Sequence, residues 1–410
     1  MNRTSKEKIF WQGIIRSCIG GLKRKICGML ILSIFMMSVP MQSYAETSAA
    51  PITISTPSYI LMEVSTGQII CSSNENEKLH PASITKIMTL LLIFEALESG
   101  KIHLEDQVIT SVHAKSMGGS QVFLEEGEVQ TVDTLIKCIA VASGNDAAVA
   151  MAEHIAGSEE AFVALMNEKA KSLNMTQTTF VDCCGLSDST QHMTSAMDVA
   201  IMSRELVTKY PQIYDYTKIW MEDITHETKQ GTSTFTLSST NKLIKQYAYA
   251  TGLKTGSTST AKYCLSATAS KDGIDLIAVV MKAPDHKVRF QDATSLLNYG
   301  FSVAKLYEDE NKEVIPALPV VGGVKETVNI ISQKSFRYLD IKGQDFSSIK
   351  KEYVLPQNVT APVQKGQKAG EIVYLLDGKQ IGTVDLLFEE NIEEARYKDY
   401  MWKMIYDYCL

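Results

Sequence analysis

The chain has 410 residues, 45% of them apolar, and a formal net charge of −7. Its positive charge is concentrated at the start, where Arg3, Lys6, Lys8, Arg16, Lys23, Arg24 and Lys25 face one acid, Glu7. Without residues 1–45 the charge falls to about −13 and no basic block remains to suit a phosphate backbone, which argues against nucleic-acid binding; the length suffices for a large core and two domains.

An apolar run from Ile26 to Met41 follows the basic segment, and Ser43-Tyr44-Ala45 supplies small residues at the two positions a signal peptidase reads. The run is about 16 residues, short of the ~20 that span a bilayer, and Pro40 stands near its end. Residues 1–45 therefore read as the signal peptide of an exported protein, cleaved after Ala45. Retention as an N-terminal anchor is the alternative. Cys18 and Cys27 leave with this segment. The other cysteines (Cys71, Cys138, Cys183, Cys184, Cys264 and Cys409) contain no C-x-x-C pair, so they fit no zinc pattern. Vicinal Cys183-Cys184 read as ordinary semi-buried thiols, with redox or metal chemistry as the other possibility.

Tyr59 to Ile70 predicts a hairpin, two apolar runs around Ser65-Thr66-Gly67. A helix follows from Ser83 to Ser99. It is apolar on every face between Ile87 and Phe94, so it should be buried, and Gly100 suits its C-terminal end. Further helices are expected at about 131–141, 145–156, 159–173 and 194–208. From Leu253 the pattern changes to strands. Tyr263–Ser270 and Ile274–Met281 flank the turn Lys271-Asp272-Gly273, and a last helix is expected over 288–308. Strands, many helices, then strands again predict an α+β domain over 50–308, its sheet assembled from both ends of that segment around a helical cluster.

After the charged stretch Glu308–Lys312, short alternating runs at 327–332, 353–356, 371–376 and 383–388 predict a small all-β domain over 312–390. Residues 391–410 return to helical spacing, with Tyr397, Met401, Met404, Ile405 and Tyr408 on one face. A helix lying on a membrane surface and a terminal helix packed on its own domain both fit. The mixed charges (Glu393, Glu394, Asp399 and Asp407 against Arg396, Lys398 and Lys403) do not make the basic face that anionic lipids attract.

Three short polar motifs interrupt this framework. In Ser83-Ile84-Thr85-Lys86 the residues three apart share a helix face, so the Lys86 amine can reach the Ser83 hydroxyl. Serine is a weak nucleophile unless a base takes its proton, and lysine is such a base only where burial or charge lowers its pKa. The apolar helix supplies burial. Ser-x-x-Lys also occurs elsewhere, as at Ser239–Lys242, and taken alone Ser83 equally fits an N-capping role. Ser143-Gly144-Asn145 stands in an apolar context between two helices, where polar side chains must be satisfied or functional; a cap is again the other reading. Lys254-Thr255-Gly256 occurs once. It offers a charge and a hydroxyl to an anion, and Gly256 permits close approach to a strand.

In this order the three motifs are the set of class A β-lactamases and penicillin-binding proteins. The chain resembles the low-molecular-mass penicillin-binding proteins, the serine D-alanyl-D-alanine carboxypeptidases, over roughly residues 50–390. Pro81-Ala82-Ser83, Gly118-Gly119-Ser120, Ser143-Gly144-Asn145-Asp146-Ala147, Thr240-Asn241-Lys242-Leu243, Gly252-Leu253-Lys254-Thr255-Gly256, Arg289 with Leu296–Phe301, and Pro362-Val363-Gln364-Lys365-Gly366 carry the resemblance. Two departures stand out. Asp182-Cys183-Cys184 replaces the family's usual Asn-Pro-His, and the terminal helix is shorter and less basic than the family's anchors.

The resemblance implies a β-lactamase/transpeptidase-like fold and an acyl-enzyme mechanism without metal or cofactor. Ser83 would attack, with Lys86 as base and Ser143 as proton relay. Asn145 would hold the substrate amide, and Lys254 would support the proton network. Thr255 and Arg289 would hold the terminal carboxylate, and the backbone N–H groups of Ser83 and Ser257 beside Gly256 would hold the oxyanion. The implied partners are peptidoglycan pentapeptide stems and β-lactams as covalent inhibitors. The nearest alternative is a D,D-endopeptidase with the same residues. A non-catalytic wall-binding protein would predict a damaged motif, and a class A β-lactamase a Glu-x-x-x-Asn loop; no Glu in 146–253 has Asn four residues later.

Overall fold

The computed structural model describes residues 52–332 and 334–409, with side chains as far as Ile405. The signal segment expected over 1–45 lies outside the described residues. The strands Ser58–Glu63 and Ile69–Ser73 form the expected hairpin. The first of them pairs with Ile274–Ala283, bringing the start of the domain beside its end. Lys262–Lys271 and then Ala250–Thr258 complete an antiparallel five-stranded sheet with Ala250–Thr258 at one edge.

Both faces of this sheet are covered, which explains why the central strand is apolar from Leu276 to Met281. Successive side chains of a strand point to opposite faces. Ile277, Val279 and Met281 pack into the core of the helical cluster, while Leu276, Ala278 and Val280 pack with Phe290, Ala293, Leu296 and Leu297 of the helix Val288–Val303. The helix Lys86–Glu98 lies in the first of these cores, and every residue from Ile87 to Phe94 is buried, Thr89 included, as a stretch apolar on every face predicts. Helices Val132–Ala140, Asn145–Ala156, Glu159–Ser172 and Ala196–Lys209 surround it close to their expected bounds.

Three elements differ from expectation. The helix expected over 288–308 stops at Val303, and Lys305–Asp309 is a strand paired with Phe336–Asp340. Leu306 packs with the sheet core and Tyr307 with the core beyond it, an alternation that a continued helix would not allow. A hairpin of Met221–Thr228 and Gly231–Ser238 was not anticipated. The terminal helix begins at Tyr397 rather than near 392, because Ile392 is buried in the β-rich part and its backbone pairs with Val363.

Beyond the strand Lys305–Asp309, a four-stranded sheet in the order Ile330–Ser332, Lys379–Phe388, Lys368–Leu376, Lys350–Val354 and smaller strand pairs enclose a separate core. Phe336 stacks on Tyr374 there at 3.7 Å. On the terminal helix Tyr397 is 80% and Trp402 70% exposed, and Met401, Met404 and Ile405 are exposed as well. No helix among the described residues is long and apolar enough to cross a membrane.

Candidate active site

The site forms where the start of the buried helix meets the edge strand. A 3₁₀ turn over Ala82–Thr85 leads into the helix that begins at Lys86. Two glycines let neighbouring backbone close on this turn. A Cβ on Gly256 would lie 2.8 Å from the Pro81 carbonyl oxygen, and one on Gly185 only 1.8 Å from that of Ala82. Ala82 itself has φ of +48°, a sparsely populated conformation that marks local strain.

Ser83 does not cap the helix, since no side-chain cap bond exists at this terminus. Its hydroxyl instead accepts a 3.1 Å hydrogen bond from Lys86 Nζ. Lys86 also donates to Asn145 Oδ1 at 2.5 Å and to the Cys184 carbonyl at 2.8 Å. The amine is wholly buried, and burial pulls its pKa below the ordinary lysine value, although Cys184, Cys183, Asp182 and Asp146 pull the other way.

The second motif is likewise not a cap. Gly144 holds the N-cap position of the helix Asn145–Ala156 without a side-chain bond. Ser143, at φ of +63°, accepts a 2.8 Å bond from Lys254 Nζ. Asn145 spans the cleft wall, accepting from Lys86 and donating Nδ2 to the Gly118 carbonyl at 2.6 Å. Lys254 is buried, and its pKa lies well below the usual value, first through burial and then through repulsion from Lys86 and Arg289. Each buried lysine thus faces a serine hydroxyl, in a setting that favours a neutral amine.

The rest of the third motif lines the edge strand. Thr255 Oγ1 donates to Thr240 Oγ1 at 2.7 Å, and Ser257 is exposed. Arg289 is buried and donates Nη1 to the carbonyls of Gly256 and Cys264 at 3.2 and 3.3 Å. It therefore reaches the strand backbone rather than the Ser83–Lys86–Ser143–Lys254 cluster.

Several residues here carried no legible role in the sequence. Asp146 accepts backbone bonds from Val122 and Leu124 at 3.0 and 3.1 Å, pinning the loop after Ser120 against the second motif. His192 is fully buried. Its Nδ1 accepts from the Val181 amide at 3.0 Å, so its ring proton sits on Nε2, 2.9 Å from Thr85 Oγ1. Cys183 and Cys184 are fully buried free thiols rather than semi-buried ones, and their carbonyls receive Thr89 and Lys86. In the sequence this segment stood out only as a departure from the family's usual Asn-Pro-His.

A model of the family described as D-alanyl-D-alanine carboxypeptidase matches residues 45–285, and one described as the penicillin-binding protein 5 C-terminal domain matches residues 301–394. The chain is 38% identical to D-alanyl-D-alanine carboxypeptidase DacF of Bacillus subtilis, over 94% of this chain and 99% of that protein. It is 34% identical to D-alanyl-D-alanine carboxypeptidase DacC of Escherichia coli, over 88% and 92%. Among solved structures, penicillin binding protein 5 from Haemophilus influenzae superposes with a TM-score of 0.71 at 32% identity, covering 84% of this chain and 99% of that one.

Proposed function

The chain belongs to the D-alanyl-D-alanine carboxypeptidase family of serine peptidases, and we propose that it works through an acyl-enzyme on Ser83. It is a D,D-carboxypeptidase acting on peptidoglycan, and a penicillin-binding protein. One observation carries the assignment of roles. Two buried lysines, both with lowered pKa, each meet a serine hydroxyl: Lys86 with Ser83 and Lys254 with Ser143.

In this reading neutral Lys86 takes the Ser83 proton as Oγ attacks the carbonyl of the penultimate D-alanine. The backbone N–H groups of Ser83 and Ser257 receive the oxyanion. The proton taken by Lys86 is relayed through Ser143, which Lys254 holds, to the departing D-alanine amine, leaving Lys86 neutral again. Water then attacks the acyl-enzyme, giving its proton to Lys86, which returns it to Ser83 as the ester breaks. Asn145 orients Lys86 and the substrate amide. The Thr255 hydroxyl and the buried charge of Arg289, behind the strand at Gly256, favour the terminal carboxylate at the strand's end. A β-lactam meets the same nucleophile and remains as a stable acyl group.

The chemistry falls to residues 50–308, with 312–390 as a β domain bearing the helix of 391–410. Export through the segment 1–45 would put the enzyme where peptidoglycan lies, and the exposed Trp402 and Met404 favour peripheral membrane contact.

Intact-mass spectrometry with penicillin tests the assignment. A single drug adduct on the wild type, absent from S83A, is expected, together with release of D-alanine from a pentapeptide by the wild type alone. An adduct that persists on folded S83A would move the nucleophile elsewhere.

A further inference from the structure

The segment that departs most from the family pattern, Asp182-Cys183-Cys184, lies against the general base. Cys184 supplies the carbonyl that accepts from Lys86 Nζ at 2.8 Å, and Gly185 seats the segment on Ala82, next to the nucleophile. What holds that carbonyl in place is the Asp182 carboxylate. It accepts from the amides of Cys184 at 2.9 Å, of Ser187 at 2.8 Å, and of Gly185. Three backbone donors converging on one side chain fix the whole turn, and a carboxylate has the acceptor capacity for all of them.

From this geometry we propose that Asp182 is a positioning residue for the carboxypeptidase reaction, clamping the Cys184 carbonyl onto Lys86 and setting, by its charge, how readily Lys86 gives up its proton. The proposal rests on Lys86 acting as the base. Burial alone would raise the Asp182 pKa, but His192 in its protonated form and the backbone amides of Ser187, Gly185 and Cys184 lower it, and the carboxyl lies below its ordinary value; at neutral pH, with His192 uncharged, the three amides serve the carboxylate anion. Lys86 feels this negative charge through the segment.

None of the other groups around Lys86 clamps the Cys184 carbonyl, although Asp146, like Asp182, favours the ammonium. The Asp146 carboxylate is engaged with the loop amides of Val122 and Leu124. Burial, with repulsion from Lys86 and Arg289, holds the Lys254 pKa well below the usual lysine value, so it adds no negative charge beside Lys86. The hydrogen bond with Cys184, and then burial, push the Cys183 thiol up, keeping it neutral. Burial and His80 hold the His192 pKa below its usual value, which leaves the ring neutral at pH 7. Glu159 accepts from the Cys183 amide at 3.0 Å and makes no bond to Cys184, the residue that anchors Lys86.

The sign follows directly. An anion near Lys86 favours the ammonium, so removing it lowers the Lys86 pKa and moves the acidic limb of the acylation profile to lower pH. The test measures the second-order rate of penicillin acylation against pH for the wild type, D182N, D182A and K86A, with the adduct quantified by intact mass and folding verified by circular dichroism. D182N is expected to shift the limb down by about one pH unit. It should also lower the plateau about tenfold, since an amide oxygen cannot receive all three N–H groups and its NH₂ opposes one of them. D182A should lose about 100-fold. A clamp of purely structural importance would lower the rate at every pH and leave the limb in place. D182N with a wild-type limb therefore overturns the proposal, even if D182A fails to fold. K86A separates the premise: an inactive K86A beside an unshifted D182N removes only the Asp182 role, whereas K86A acylating at the wild-type rate removes the assignment of the base and this proposal with it.

Discussion

Asn145 Oδ1 accepts a 2.5 Å hydrogen bond from Lys86 Nζ, which makes the second motif the direct partner of the first. The bond joins residues 59 apart in sequence and ties the start of the Asn145–Ala156 helix to the start of the Lys86–Glu98 helix. A neutral amide suits this place. It accepts from the amine without adding a charge that would keep the amine protonated.

N145D is the sharpest test of that statement. A carboxylate beside Lys86 favours the ammonium, so the acidic limb of acylation should move to higher pH, opposite to D182N. The new oxygen would also face the Gly118 carbonyl that Nδ2 now serves. Penicillin acylation at neutral pH should fall at least about 100-fold, and N145D with an unshifted limb would mean that Asn145 does not govern the Lys86 charge.

Gly185 and Gly378 separate strain from collision. Both have positive φ, at +79° and +78°, but a Cβ on Gly378 meets nothing within 4 Å, while on Gly185 it meets the Ala82 carbonyl. Urea denaturation should show G378A destabilised by about 1 kcal/mol. G185A should lose about 3 kcal/mol or more together with acylation, because the segment carrying the Cys184 carbonyl must move. Equal losses in the two variants would contradict the tight seating of this turn.

The buried cysteines should be silent in the native state. Cys138, Cys183, Cys184 and Cys264 are fully buried, and burial pushes the Cys264 thiol up to about 11. Alkylation mapped by mass spectrometry should leave these four unmodified until the protein unfolds, with Cys71, partly exposed and also at about 11, labelled slowly. Rapid native labelling of Cys183 or Cys184 would mean that the segment beside Lys86 opens readily.

The terminal helix gives a lipid-dependent prediction. Its exposed Tyr397, Trp402 and Met404 favour an interfacial position, while its charges are of both signs. Co-sedimentation with vesicles should be lost on truncation before Tyr397 and should change little as the anionic lipid fraction rises. Binding that survives the truncation would place the membrane contact elsewhere in the chain.

Much of this molecule was legible in its sequence. The run Ile87–Phe94, apolar on every face and polar only at Thr89, announces a buried helix. The strand-forming runs Tyr263–Ser270 and Ile274–Met281 around Asp272-Gly273 announce a hairpin, and the order of the three motifs points to the chemistry. What failed locally was decided by burial at a distance. Lys305–Asp309 continues a helical pattern by composition, yet it becomes a strand because Leu306 and Tyr307 enter two different cores. Whether Ser83 and Ser143 were caps or reactive groups was equally undecidable from spacing, since a cap and a nucleophile occupy the same position at a helix start. Only the tertiary structure sets Lys86 against Ser83 and Asn145, and Lys254 against Ser143, across 111 residues. The anchoring carbonyl of Cys184 was invisible for a simpler reason: every residue carries a carbonyl, and its use depends on where the fold brings it.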